Sequence, residues 1–208
     1  MRIDRAGLPF ILGAAVPAAV AAVLAGPRWA VPLILLPAAV AGFFRDPDRV
    51  SPVDRTAVLS PADGRVMHAG AADPKTAPPG AWQQVTVFLS PLDVHINRAP
   101  VAGLVTRVEY HAGSFRPAYR HDAAMNERSE IWFDHEGQVV VARQVVGAMA
   151  RRVVCRLKVG QEVAAGDRLG LMKFGSRMDV FVPMTAILLV SAGDRVRAGQ
   201  TSIARLVP

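Results

Sequence analysis

The chain is short of the residues that most often build a site. Of its 208 residues one is cysteine, Cys155, which excludes an internal disulfide and a multi-cysteine metal centre. Cys155 lies in an apolar run, where a cysteine behaves as a small buried hydrophobe. Aromatic residues make up 6%, too few to interleave with the scattered basic side chains as a stacking surface for nucleic acid. The histidines at 68, 111, 121 and 135 show no ligand spacing on one face, so no metal is expected. Beyond residue 46 no long stretch repeats with the period of a helix.

What is abundant is apolar and basic. Hydrophobic residues reach 51%, and 24 Lys and Arg against 17 Asp and Glu leave a net charge of +7. Mean hydropathy is +0.27, high for a soluble domain. That balance favours an anionic partner, here a phospholipid surface. Leu8 to Gly26 carries no charge, Pro27-Arg28 interrupts, and Trp29 to Phe44 is apolar again. Each run approaches the ~20 residues that cross a bilayer. The loop between them is tight, so residues 1–46 read as a membrane-anchoring helical hairpin, with Pro17 and Pro37 as kink points. Arg2 and Arg5 precede it and Arg45 and Arg49 follow, which puts both ends and the following domain on the cytoplasmic side of the cell membrane. A cleaved signal peptide would explain the first run but not the second.

Residues 47–208 read as mainly β, a barrel or sandwich, because Val, Ile and Leu occur in short runs broken by Gly, Pro and Asp. One repeat stands out. Gly160-Gln-Glu-Val163-Ala-Ala-Gly166 matches Gly193-Asp-Arg-Val196-Arg-Ala-Gly199. This pattern resembles the half-barrels of biotinyl and lipoyl carrier domains, which present their modified residue on a hairpin between two such copies. Ser114 to Glu130 is polar and long for a connection, as lids over sites often are.

Three stretches carry chemistry. Ser60-Pro61-Ala62-Asp63-Gly64 puts an acid at a turn. Leu89 to Pro100 puts His95 just after a strand. Lys173-Phe174-Gly175-Ser176-Arg177 puts a hydroxyl behind an unhindered glycine carbonyl. An acid, an imidazole and a serine are the parts of an activated nucleophile. Together with Phe43-Phe44-Arg45-Asp46-Pro47-Asp48-Arg49, Asp93-Val94-His95-Ile96-Asn97-Arg98 and Asn126-Glu127-Arg128, these stretches resemble the short bacterial or archaeal form of the phosphatidylserine decarboxylase family, over nearly the whole chain.

That resemblance implies a proenzyme that cuts itself between Gly175 and Ser176 into residues 1–175 and 176–208, which stay together as a heterodimer and leave room for a higher homo-oligomer. It implies that Ser176 becomes a pyruvoyl cofactor, that this group forms a Schiff base with phosphatidylserine in the membrane, and that loss of carbon dioxide yields phosphatidylethanolamine. It further implies His95 as the acid and base of both reactions, a histidine being the side chain that titrates near neutral pH, and Asp63 as the acid that orients a base. Arg98, Asn126 and Arg128 are the expected headgroup contacts, and Lys173 is a candidate to stabilise an oxyanion. The long bacterial form has a second histidine three positions after the first and uses it in self-cleavage. This chain has Arg98 there, and arginine does not act as a base at neutral pH. Two alternatives remain: the same chemistry on another serine lipid such as archaetidylserine, and a membrane-anchored carrier-like adaptor without catalysis.

Overall fold

Glycine and proline set where the N-terminal helices break. The computed structural model describes residues 2–148, 153–173 and 175–207, in two compact units that divide after Asp48. In the first unit, β1 (Arg2–Ile3) pairs antiparallel with β2 (Arg45–Asp46) and ties the ends of the apolar segment together. Between them run α1 (Leu8–Ala25), α2 (Pro27–Ala30), a 3-10 turn (Pro32–Ile34) and α3 (Leu35–Phe43). Gly26 reverses the chain after α1 at φ +94°, a conformation open to a residue without Cβ. Arg5–Ala25, with mean hydropathy 2.2, is long and apolar enough to cross a membrane; Pro27–Phe43 is shorter. The second apolar run is therefore not one regular helix. Pro32 has no N–H to donate, and the chain tightens into a 3-10 turn there.

The second unit is mainly β, with β3 (Ala57–Leu59), β4 (Gly64–Ala71), β5 (Trp82–Leu89), β6 (Ile96–Arg98), β7 (Gly103–His111), β8 (Arg128–His135), β9 (Gln138–Val146), β10 (Val153–Cys155), β11 (Glu162–Val163), β12 (Arg168–Met172), β13 (Ser176–Pro183), β14 (Ile187–Leu188), β15 (Arg195–Val196) and β16 (Ser202–Arg205). Eight of them form one sheet in the order β11-β7-β8-β9-β13-β5-β4-β15; two three-stranded sheets, β10-β12-β6 and β14-β16-β3, complete the unit. Every pairing in them is antiparallel. The long sheet curls as a half-barrel, helped by register shifts at Val66/His68 and Val105/Arg107, since a bulge bends its strand and raises the twist. Val58, Val87, Ile131, Phe133, Val180 and Val182 lie in the apolar core.

Strand order and register reveal a duplication larger than the glycine repeat. The set β3, β4, β5, β13, β14, β15, β16 has the same pairing scheme as β6, β7, β8, β9, β10, β11, β12. Val196 faces Gly64 on one edge as Val163 faces Gly103 on the other. Leu59 faces Ser202 as Arg98 faces Arg168. The second set is inserted whole into the connection between β5 and β13 of the first. The two repeat copies thus supply β11 and β15, the opposite edges of the long sheet, and the curl brings them together. A Cβ added to Gly199 would lie 3.3 Å from the Cα of Gly166. The outward junction of the insertion is Ser90–His95 and the return junction is Lys173–Gly175.

Candidate active site

The two junctions meet. Asp93 shapes the outward one: its Oδ2 accepts the N–H of Ser90 at 2.8 Å and the Ser90 hydroxyl at 2.7 Å. His95 follows, fully buried. Its Nδ1 lies 2.9 Å from the carbonyl oxygen of Asp93. A carbonyl only accepts, so Nδ1 carries the proton and Nε2 presents a lone pair. That Nε2 accepts the N–H of Gly175 at 3.4 Å. The contact is long and sits one peptide unit before the bond that precedes Ser176.

Gly175 has φ +74°, and nothing lies within 4 Å of where its Cβ would be. Its carbonyl oxygen rests against the Cα of Gly147, where a Cβ would collide with it. Gly147 is a requirement that sequence reading missed. Ser176 then opens β13 between Leu89 of β5 and Val146 of β9. It is fully buried, and its hydroxyl has no hydrogen-bond partner among the described residues. The likeness to carrier hairpins stops here, because Ser176 starts a central strand and not an exposed turn. Lys173 is half-buried at the return junction, and Phe174 lies outside the described residues.

The other expected residues hold the frame around this point. Asp63 forms a two-pronged ion pair with Arg49, at 2.5 Å and 2.7 Å, and accepts the N–H of Ala198 at 2.8 Å. Both side chains are largely buried. Arg98 Nη1 donates to the carbonyl oxygen of Gly166 at 2.9 Å, and its stem passes Gly199, so it fastens the turn where the sheet edges meet. Asn126 accepts from Ser114 Oγ and Arg116 N and donates to the carbonyl oxygens of Arg116 and Val146. Val146 is the strand partner of Ser176, so Asn126 fixes the polar 112–127 loop beside the serine. Ala118 of that loop lies near Gly147. Arg128 sits on the opposite face of the sheet from Ser176, where it pairs with Glu130 at 3.3 Å.

On the other face of the sheet, Arg177 holds Asp179 with contacts of 3.0 Å, and Arg143 holds Glu130 at 2.9 Å. Burial pushes the Arg143 guanidinium down from its ordinary range, and Asp179 and Glu130 oppose that shift. A cavity of about 380 Å³, lined in part by Thr86, Tyr119, Arg120 and Arg177, opens there. Glu109, His111 and Glu130 bring donor atoms within 4.8 Å of one another. Glu130 already accepts from Arg143 and Arg128, which offsets the negative charge a cation would need. Burial raises the Cys155 thiol, which keeps it protonated.

The family model for phosphatidylserine decarboxylase matches residues 36–204. The chain is 41% identical over 206 residues to the phosphatidylserine decarboxylase proenzyme of Solibacter usitatus, covering 99% of this chain and 97% of that one. It is 43% identical over 209 residues to the proenzyme of Thermobifida fusca, covering 98% and 93%, and 41% identical to that of Ralstonia nicotianae, covering 98% and 95%.

The chain belongs to the phosphatidylserine decarboxylase family.

Members of the phosphatidylserine decarboxylase family are lyases, and the matched relatives are named as proenzymes. The family match spans both the outward and the return junction, so His95, Gly175 and Ser176 all fall inside it.

Proposed function

We infer that this chain is made as a proenzyme, cuts itself at Gly175-Ser176, and then decarboxylates phosphatidylserine to phosphatidylethanolamine. The observation that carries the reading is the contact of His95 Nε2 with the N–H of Gly175, the residue before a buried serine whose hydroxyl has no hydrogen-bond partner among the described residues. His95 takes the hydroxyl proton of Ser176, whose oxygen attacks the Gly175 carbonyl carbon. The carbon–nitrogen bond breaks, the nitrogen takes the proton, and an ester replaces the amide. Loss of the Ser176 α-proton then breaks the Cβ–Oγ bond, and Gly175 leaves as a carboxylate. Water completes the conversion and ammonia departs, leaving the chains 1–175 and 176–208.

The residues present fit a pyruvoyl group: the space beside the left-handed Gly175 where a Cβ would lie is open, and the buried serine is screened from bulk water. Such a ketone supplies the electron sink that decarboxylation of an amino acid needs. His95 remains beside it to move the protons of that reaction. Asp63 acts through Arg49, and Asn126 and Arg98 hold the loops around the headgroup site. Arg128, still partly open to solvent, is the candidate among the three for direct headgroup contact.

The N-terminal unit anchors the enzyme where its substrate lies. Leu12, Val23, Leu24 and Leu35 are largely exposed on helices that are apolar all round, as membrane helices are. Anchoring raises the local concentration of enzyme at the lipid surface, with the arginine-flanked ends and the catalytic unit on the cytoplasmic side.

Intact mass of the purified protein tests the reading. Two chains are expected, the second beginning at residue 176 with a ketone-bearing, blocked end, and Ser176→Ala is expected to stay full-length and inactive. Decarboxylation by an uncut Ser176→Ala chain overturns it.

A further inference from the structure

Ser176 is not the only buried polar group near the junctions left without a partner. Asn97 Nδ2 and Gln144 Oε1 are also unpaired among the described residues, and both residues are fully buried. An unpaired polar atom in a core is costly because it gives up water without a replacement, so each calls for a physical reason.

The three atoms belong to one region. Gln144 Nε2 donates to Asn97 Oδ1 at 2.8 Å, which joins the two amides and leaves one free end on each. Asn97 lies two residues after His95, in the middle of β6. Gln144 precedes Val146 by two on β9, and Val146 is the direct partner of Ser176. Gln144 therefore shares the Ser176 face of the sheet, at the diagonal position a long side chain can span. The amide pair bridges β6, the strand that begins directly after His95, and β9, the strand beside the hydroxyl.

The duplication shows that the fold does not need amides here. Asn97, opposite Gly170 in the middle of β6, corresponds to Val58, opposite Ala204 in the middle of β3. The β8–β9 ladder runs from His135↔Gln138 to Ser129↔Gln144 as the β5–β13 ladder runs from Leu89↔Ser176 to Gln83↔Val182. Gln144 thus corresponds to Val182. Val58 and Val182 are both fully buried in the apolar core. The half that carries the imidazole has two polar side chains where its counterpart has two valines.

We propose that the Asn97–Gln144 pair positions the Ser176 hydroxyl for self-cleavage. Gln144 Oε1 accepts the hydroxyl hydrogen bond and turns Oγ toward the Gly175 carbonyl carbon. Asn97 Nδ2 donates to that same oxygen when the Cβ–Oγ bond breaks and the electron pair leaves on the Gly175 carboxylate. This rests on the self-processing reading above and adds the groups that orient its nucleophile and its leaving group.

The test follows processing of the full chain after pulse-labelled synthesis with lipid vesicles, with hydroxylamine to reveal ester. Gln144→Met is expected to slow cutting by about tenfold or more, the effect of one hydrogen bond lost from a reacting group, with the uncut chain resistant to hydroxylamine. Gln144→Glu keeps an acceptor at the same reach and is expected to cut faster than Gln144→Met. Asn97→Leu is expected to accumulate hydroxylamine-labile chain. The double variant Asn97→Leu/Gln144→Met removes both unpaired ends together, so it is expected to melt cooperatively at or above the temperature of Ser176→Ala and yet stay uncut. Wild-type cutting rates in Gln144→Met and Asn97→Leu overturn the proposal alone, as does a double variant that loses its cooperative melt, which would make the pair structural. A wild-type chain that never cuts overturns the self-processing reading and this proposal with it.

Discussion

His95 Nε2 accepts the N–H of Gly175 at 3.4 Å, and that contact closes the two ends of the inserted half onto each other. The residues stand 80 positions apart in the chain. Insertion of one half into the other brings them together, because both junctions must leave and re-enter the first half at the ends of neighbouring strands. Self-cleavage after Gly175 would therefore open the return junction, while β13 is paired to β5 along its whole length and to β9 from Ser176 to Phe181. Pairing on both sides is the physical reason the two products would remain together.

The first prediction concerns the imidazole. His95→Gln can still accept the Gly175 N–H but cannot take a proton, so it separates geometry from basicity. Self-cleavage is expected to fall by about 10²–10⁴-fold, the usual worth of a positioned general base, with the melting temperature close to that of Ser176→Ala. Gel analysis of cutting after pulse-labelled synthesis reads it. Cutting at the wild-type rate would remove His95 from the mechanism.

A second prediction falls on a residue with no polar atom in its side chain. Gly147→Ala places a methyl group where the Gly175 carbonyl oxygen lies, and backbone on both sides must give. Overpacking of this kind costs about 1–3 kcal/mol. Because the displaced atom is the oxygen of the attacked carbonyl, cutting is expected to slow more than stability falls. Urea denaturation and cutting kinetics on the same variant compare the two effects. A stability loss with an unchanged cutting rate would show that the carbonyl tolerates the shift.

Much of the β unit was legible because its strands are rich in Val, Ile and Leu and bounded by Gly and Pro. The glycine repeat was visible too, since its copies need positive φ at Gly160, Gly166, Gly193 and Gly199. The insertion was not, because the pairs that define it join strands far apart in the chain and several are two to four residues long, as β11, β15 and β16 are. Asp63, His95 and Ser176 drew attention through residue type. Asn97 and Gln144 did not, since an asparagine beside a proline-bounded turn and a glutamine in an apolar run carry no spacing signal. Their unpaired buried atoms and the valines at the corresponding positions mark them as unusual. Arg98 and Asn126 read as ligand contacts from their chemistry; in the structure Arg98 Nη1 donates to the carbonyl oxygen of Gly166, and Asn126 Nδ2 to those of Arg116 and Val146.

Asn126 gives a third prediction. Asn126→Ala removes four hydrogen bonds and leaves the Val146 and Arg116 carbonyl oxygens short of a donor. A stability loss of about 2–3 kcal/mol is expected from the unpaired buried groups. Release of the 112–127 loop should appear as a new proteolytic cut within it before global unfolding. Unchanged protection of that loop would show that other contacts hold it.

The last prediction decides how Asp63 acts. Its carboxylate is engaged on both oxygens by Arg49 and by the N–H of Ala198, and breaking one partner of a largely buried pair costs about 3 kcal/mol. If the aspartate works by fixing the turn before β4, Arg49→Met and Asp63→Asn should slow self-cleavage to a similar degree. The double variant Arg49→Met/Asp63→Asn should then recover about 1 kcal/mol relative to the sum of the single losses, because each single change leaves the other partner uncompensated. An aspartate that handles protons gives a different pattern: Asp63→Asn stops cutting, while Arg49→Met only lowers stability and cuts at nearly the wild-type rate once folded. Cutting rates and urea midpoints for the three variants therefore separate an electrostatic clamp from a participant in the chemistry.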